Sequence, residues 1–93
     1  MLKVTGKLWE YDGAAAWHFL TLSKTASQQI RTRRKRRVAW GSVRVQVMLG
    51  QSTWKTSVFP TKEGPYILPV KASVRKKEGI GKGSRVTVEL ELI

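Results

Sequence analysis

The chain has 93 residues, enough for one small domain, and its lack of cysteine excludes disulfides, thiolate metal sites and a cysteine nucleophile. Its 18 Lys and Arg residues outweigh 6 acids to give a net charge of +12. None of the acids lies between residues 13 and 62, so the middle of the chain carries an uncompensated positive field that attracts polyanions.

The same composition argues against a membrane or exported protein. No apolar run approaches the roughly 20 residues that span a bilayer. The N-terminal segment "MLKVTGKLWEYDG" alternates apolar and polar residues and lacks the continuous apolar core of an export signal. With no cysteine to pair, the expected compartment is the cytoplasm, and we expect no contact with membrane.

The first third of the chain predicts two strands and a helix. "KVTGKLWEY" alternates loosely as a strand, "DGAAA" marks a turn, and "WHFLTL" is rich in the aromatic and branched residues of a second strand. In "SKTASQQIRTR", Ala26 and Ile30 stand four residues apart, as on one face of a helix. Thr25 followed by Gln28 fits a capping box, which predicts a short helix running into a basic stretch.

The segment "SVRVQVMLGQSTWKTSVF" predicts a β-hairpin. Gly50-Gln51 fits a two-residue type II′ loop. The resulting register places the large apolar residues on one face, and a slip by one residue would expose Trp54 and Val58 to water. The predicted pairs are Leu49 with Ser52, Val47 with Trp54, Val45 with Thr56, and Val43 with Val58; on the other face Gln46 pairs with Lys55 and Arg44 with Ser57.

The last third predicts a strand, a helix and a strand. "YILPV" is a short strand in which Pro69 indicates an edge or an end, and "KASVRKKEG" is a short basic helix closed by Gly79. "SRVTVELELI" is a final alternating strand. Because half-buried strands must hide their edges, we predict a mainly β fold over residues 1–93. This single domain is a small closed or nearly closed β-barrel of about six to seven strands with two short α-helices.

Several of these segments resemble a known family. "TSVFP", the step from Gly64 to Tyr66, "VKASVRK" and "GIGKGSRV" are similar in order and spacing to the bacterial domain of unknown function 1905, from about Val4 to Leu92. One departure is visible: the family often has Leu-Pro after its second strand, where this chain has Leu22-Ser23, and serine is a good helix cap. The resemblance implies a small closed β-barrel and no established biochemical function.

Catalytic and metal-binding patterns are not apparent. His18 alternates with aromatic residues, which favours a packed or hydrogen-bonded histidine over a catalytic one. Glu89 and Glu91 share the outer face of the last strand, where we expect them to be solvated. "GIGKGS" lacks the spacing of a Walker A loop and leads into a strand. We therefore expect no enzyme activity, no metal and no cofactor.

Three basic groups are candidates for polyanion binding. Arginine forks suit phosphate groups, and several such contacts together make binding salt-dependent. Trp40 and Trp17 could add stacking surfaces if exposed, although Trp17 and Trp9 are predicted to lie in the core. The candidates are a loop with Arg31, Arg33, Arg34, Lys35, Arg36 and Arg37, followed by Trp40; the outer hairpin face with Arg44 and Lys55; and the second helix with Lys71, Arg75, Lys76 and Lys77.

The sequence leaves two functional classes open. One is a non-enzymatic module that binds nucleic acid or another polyanion without sequence specificity, although the basic loop could equally be a solvated segment that aids solubility. The other is a module that binds a small molecule or a protein partner, for which an anionic metabolite near Arg44, Lys71 and Arg75 is the example. The oligomeric state is not determined by these patterns.

Overall fold

The computed structural model describes residues 1–13, 16–33 and 41–93, which form six strands and two helices. Both predicted helices and all the predicted strands are present, and they differ from the predicted spans by a few residues at their ends. In chain order the elements are β1 Leu2–Glu10, β2 His18–Thr21, α1 Lys24–Arg33, β3 Val43–Leu49, β4 Ser52–Pro60, β5 Tyr66–Pro69, α2 Ala72–Glu78 and β6 Arg85–Leu92.

The strands close into a barrel in the order β1-β2-β5-β4-β3-β6, with β6 paired back onto β1. Neighbouring strands are antiparallel all the way round. Closure removes the sheet edges that would otherwise offer unpaired backbone groups to other chains. The predicted mainly β fold, a small closed barrel with two short α-helices, is confirmed, with six strands.

The β3–β4 hairpin has the predicted register. Leu49 pairs with Ser52, Val47 with Trp54 and Arg44 with Ser57. Gly50 has φ 59, and among the described residues other than glycine a positive φ occurs at Ala16 alone, so Gln51 has the negative φ of a type II′ loop. Alternation then buries the valines of β3, and their apolar surface drives the hairpin against the rest of the core.

Helix α1 packs against the barrel through Ala26, Ser27 and Ile30, which are buried. The predicted capping box of Thr25 and Gln28 is wrong: the Ser23 hydroxyl accepts the hydrogen bond of the Ala26 amide at 3.0 Å. The helix therefore starts two residues earlier than a Thr25 cap allows. The hydroxyl of Ser27 also accepts from the Tyr66 amide at 2.9 Å, which links α1 to the start of β5.

Helix α2 ends as predicted, at Gly79 in the left-handed conformation with φ 67. Its last residue, Glu78, reaches the tight turn of the hairpin. One carboxylate oxygen accepts from the Gln51 amide at 3.1 Å and from the Ser52 hydroxyl at 2.6 Å. The turn favours glycine for its positive φ, and a Cβ at Gly50 would displace the Glu78 carboxylate from these hydrogen bonds.

Candidate binding cleft

A cleft opens where β4 and β5 separate. These two strands pair at Phe59 with Ile67 and at Pro60 with Tyr66, which occupy one end of β4. Toward the other end of β4, the chain leaving β5 turns into α2 and does not continue alongside β4. The resulting space has a volume of about 330 Å³.

Residues from three parts of the fold line this cleft. Three of them are cations: Lys55 from β4, Lys71 just before α2, and Arg75 within α2. Among the described residues of the lining none is acidic, so an anion entering the cleft meets positive charge without local competition. The lining consists of Ala16, Trp17, His18, Trp54, Lys55, Thr56, Pro69, Val70, Lys71, Ala72 and Arg75.

The guanidinium of Arg75 is held in a fixed position. Its Nε donates to the Val70 carbonyl at 3.1 Å, and one terminal nitrogen lies 2.7 Å from Nδ1 and 3.2 Å from Nε2 of His18. Arginine only donates, so the imidazole nitrogen that accepts must be unprotonated. These contacts with described residues use two of the five N–H donors of an arginine and leave the others for a ligand.

The predicted role of His18 as a hydrogen-bonded residue is confirmed, and its surroundings are unusual. The Ala16 carbonyl lies 2.9 Å from Nδ1 and can accept from an N–H there, which leaves Nε2 to accept from Arg75. Ala16 has φ 52. An alanine in the left-handed region is strained by about 1–2 kcal/mol, and such strain is concentrated at functional sites. Across the β1–β2 pair His18 faces Glu10, whose side chain is exposed and lies outside the cleft lining.

A second depression of about 210 Å³ adjoins the cleft. It shares Trp54 and Lys71 with the cleft and adds Lys77 from the last turn of α2. The positive surface therefore continues along α2, which gives an extended ligand more than one cation to contact.

Four aromatic residues form a cluster on the outer face of β1 and β2, beside the cleft. Phe19 is at its centre, with ring centroids 5.1 Å from Trp9, 6.3 Å from Tyr11 and 5.8 Å from Trp17. The predicted core placement of Trp17 is wrong, since 49% of it is exposed, and Trp9 is partly buried on the same outer face. The alternation of β2 explains this: Leu20 faces the core, so Phe19 and Trp17 face outward.

The structure brings together some of the predicted polyanion-binding residues and separates others. Lys55, Lys71 and Arg75 share the cleft. Lys76 is exposed on α2 outside the cleft lining. Arg44 lies on β3, beyond β4 as seen from the cleft, where its guanidinium contacts the Ser57 hydroxyl at 3.4 Å.

Two residues assigned to the basic loop belong to helix α1. Arg31 donates to the Gly64 carbonyl, and its guanidinium lies 5.4 Å from the centre of the Tyr66 ring. Arg31 thus ties α1 to the segment before β5, whereas Arg33 is exposed at the end of the helix. The remaining predicted residues, Arg34, Lys35, Arg36, Arg37 and Trp40, lie outside the described residues.

Sequence reasoning missed two features of this region. It dismissed His18 as a site residue, and no local signal indicates that Arg75, 57 positions later, contacts its ring. It also gave no role to Glu78. For Trp17, alternation indicates a position on the face opposite Leu20 but does not indicate which face is covered.

The fold and the cleft define a small closed β-barrel domain with a basic cleft and an aromatic outer surface beside it. Residues 5–90 match the family model described as a domain of unknown function (DUF1905), and the chain belongs to this family. The predicted family is therefore confirmed over nearly the whole chain. A search of curated proteins finds no match. Neither described helix is long and apolar enough to cross a membrane.

Proposed function

We propose that this domain is a non-enzymatic binding module that binds polyanions, nucleic acid among them, with little sequence preference and through the cleft between β4 and α2. The observation that carries the proposal is the convergence of Lys55, Lys71 and Arg75 on one cleft without an acid among the described lining residues. Cations grouped in this way neutralise phosphates and release condensed counterions, which makes binding favourable and salt-dependent.

The absence of sequence preference follows from the elements that present these cations. Helix α2 has 7 residues, which is short for a recognition helix. Lysine and arginine side chains that contact phosphates orient the nucleic acid without distinguishing its bases. Binding through this face is therefore expected to follow phosphate density and not base sequence.

A binding role also accounts for the polar groups at the cleft. His18 is the chain's one histidine, and its ring nitrogen already accepts from Arg75, which makes it a holder of the guanidinium. A general base needs a free lone pair within reach of the proton that it removes. The Arg75–His18 pair is better suited to positioning a cation than to transferring protons.

Titration with a labelled duplex DNA at several salt concentrations tests the proposal. If about four phosphates are neutralised, the slope of log affinity against log salt concentration is expected to be near −3.6. The combined change Lys55→Ser and Lys71→Ser should weaken binding and reduce the size of the slope by about 2.

Two other exposed lysines provide the matched control. Lys7 lies on β1 and Lys82 precedes β6, and both are outside the cleft lining. Changing both to Ser removes the same charge and should alter affinity much less. A salt-independent affinity, or an equal loss in the control, would contradict the proposal.

The volume of the cleft favours one alternative, a small anionic ligand. About 330 Å³ lies within the usual range for small-molecule sites, roughly 300–1,000 Å³. Affinity as a function of ligand length separates the two functions. A polyanion site gains affinity as a phosphate chain is lengthened, whereas a small-molecule site is saturated by a nucleoside monophosphate, which should then block the longer chain completely.

A further inference from the structure

The aromatic cluster beside the cleft presents two rings to solvent. Tyr11 is 55% exposed and Trp17 is 49% exposed, while Phe19 beneath them is 9% exposed. Trp17 stacks on Phe19 with an angle of 22° between the ring planes, and Tyr11 meets Phe19 edge-on at 84°. Large apolar residues that are grouped and exposed are typical of an interaction surface.

The cluster is held rigidly enough to act as a preformed surface. The indole N–H of Trp9 donates to the Thr21 hydroxyl at 2.9 Å, and its ring packs on Phe19. The backbone amide of Tyr11 donates to the Trp17 carbonyl at 2.7 Å, which joins the ends of the two strands. Rings that are already ordered lose little conformational freedom when a ligand packs on them.

Trp17 connects this surface to the basic cleft, because it belongs to both. It contacts Phe19 on the outer face of β2 and also lines the cleft with Lys55, Lys71 and Arg75. An exposed aromatic ring beside a row of cations is the arrangement by which proteins bind single-stranded nucleic acid: bases stack on the rings and phosphates follow the charge.

We propose that the ligand of this surface is single-stranded nucleic acid, with bases stacked on Trp17 and Tyr11 and phosphates along Lys55, Lys71 and Arg75. The inference rests on the proposed polyanion-binding function and adds the substrate class. Charge alone cannot select a single strand, since a duplex carries more phosphates. The rings can, because the base faces of a duplex are already stacked on each other.

Fluorescence anisotropy with two labelled oligomers tests this proposal. One is an oligothymidylate of about 12 nucleotides, and the other has the same length and charge but lacks bases. Stacking on aromatic residues contributes enough that the wild-type protein should bind the oligothymidylate about tenfold more tightly than the abasic oligomer. Trp17→Ala should remove most of this preference, by weakening oligothymidylate binding much more than abasic binding, while Trp17→Phe should retain part of it.

Phe59 provides the matched control, because it is an aromatic residue 37% exposed on β4 and outside the cleft lining. Phe59→Ala should leave the preference intact. Thermal denaturation serves as the folding control for Trp17→Ala.

The outcomes separate this inference from the function on which it rests. Equal wild-type affinity for the two oligomers, or equal effects of Trp17→Ala and Phe59→Ala, would overturn the single-strand assignment and leave polyanion binding in place. An equal loss of affinity for both oligomers in Trp17→Ala would also overturn it, because Trp17 would then not act through the bases. Failure of the wild-type protein to bind either oligomer would overturn both proposals.

Discussion

The two halves of the barrel differ in how much backbone is committed to strand pairing. The long-strand half comprises β1, β6, β3 and β4, and its β3–β4 register runs from Val43 with Val58 to Leu49 with Ser52. The short-strand half comprises β2 and β5, with 4 residues in each strand. Full pairing uses the backbone groups of a strand for structure, whereas the short strands leave the opening beside β4 in which the cleft lies.

This difference indicates where stability and binding reside. Buried valines and leucines concentrate in β1, β3 and β6. The exposed Trp17 and most of the cleft lining lie on or near β2, β5 and α2, with Lys55 added from β4. The long-strand half thus supports a surface that can change without loss of the fold. The variants below test this division, in order of decreasing expected effect.

Leu90→Ala should have the largest effect on stability, because Leu90 is buried in β6 and pairs with both Leu2 and Val47. Removing a buried leucine side chain costs about 2–5 kcal/mol in the free energy of unfolding. Lys71→Ala, in the exposed cleft wall, should change it by less than about 0.5 kcal/mol. Urea denaturation measures the free energy of unfolding of both variants. Similar losses would show that the two halves do not differ in their contribution to stability.

Glu78→Ala should destabilise the protein by about 1.5–3 kcal/mol, because its carboxylate joins α2 to the hairpin of the long-strand half. Its hydrogen bonds to the Gln51 amide and the Ser52 hydroxyl would be lost, and Ser52 is buried. Glu89→Ala removes an exposed carboxylate from β6 and should cost less than about 0.5 kcal/mol. Equal effects in thermal denaturation would mean that the Glu78 contacts add nothing to stability.

Ser23→Ala should cost about 1 kcal/mol, because the Ser23 hydroxyl caps α1. Helix α1 supports the short-strand half through Ser27 and the Tyr66 amide. Thr25 is exposed and does not form the predicted capping box, so Thr25→Ala should have a much smaller effect on the free energy of unfolding. Chemical denaturation of the two variants compares the two caps. A larger loss of unfolding free energy in Thr25→Ala than in Ser23→Ala would show that Thr25, and not Ser23, caps the helix.

A small change in stability is also expected for the basic residues that run from the end of α1 to Arg37. Replacing Arg33, Arg34, Lys35, Arg36 and Arg37 with Gln should alter the free energy of unfolding by less than about 1 kcal/mol, since the segment has no apolar side chain and its like charges repel. Unfolding of this variant would show that the segment is part of the core.

The same five-residue variant also separates the basic segment from the cleft as the site of binding. If the cleft carries the function, abasic-oligomer affinity should fall less than in the double variant Lys55→Ser and Lys71→Ser. A greater loss would place the site on the segment from Arg33 to Arg37. No loss in either variant would favour the small-molecule function.

The sequence was sufficient to predict those features that are determined by residues close together along the chain. The β3–β4 register followed from alternation and from the Gly50-Gln51 loop, because a shift by one residue would expose Trp54 and Val58. The end of α2 followed from Gly79, whose left-handed backbone suits glycine. Local patterns alone predicted a barrel that is closed or nearly closed, and the family resemblance implied the closed form.

Other features depend on contacts between distant parts of the chain, and only the tertiary structure decided them. Alternation cannot say which face of a short strand is covered, so Trp17 was assigned to the core although β2 turns it outward. Lys55, Lys71 and Arg75 share one cleft because β4 and β5 pair at one end and diverge at the other. Charge along a sequence predicts an attraction for polyanions, but the packing of strands and helices determines where those charges meet.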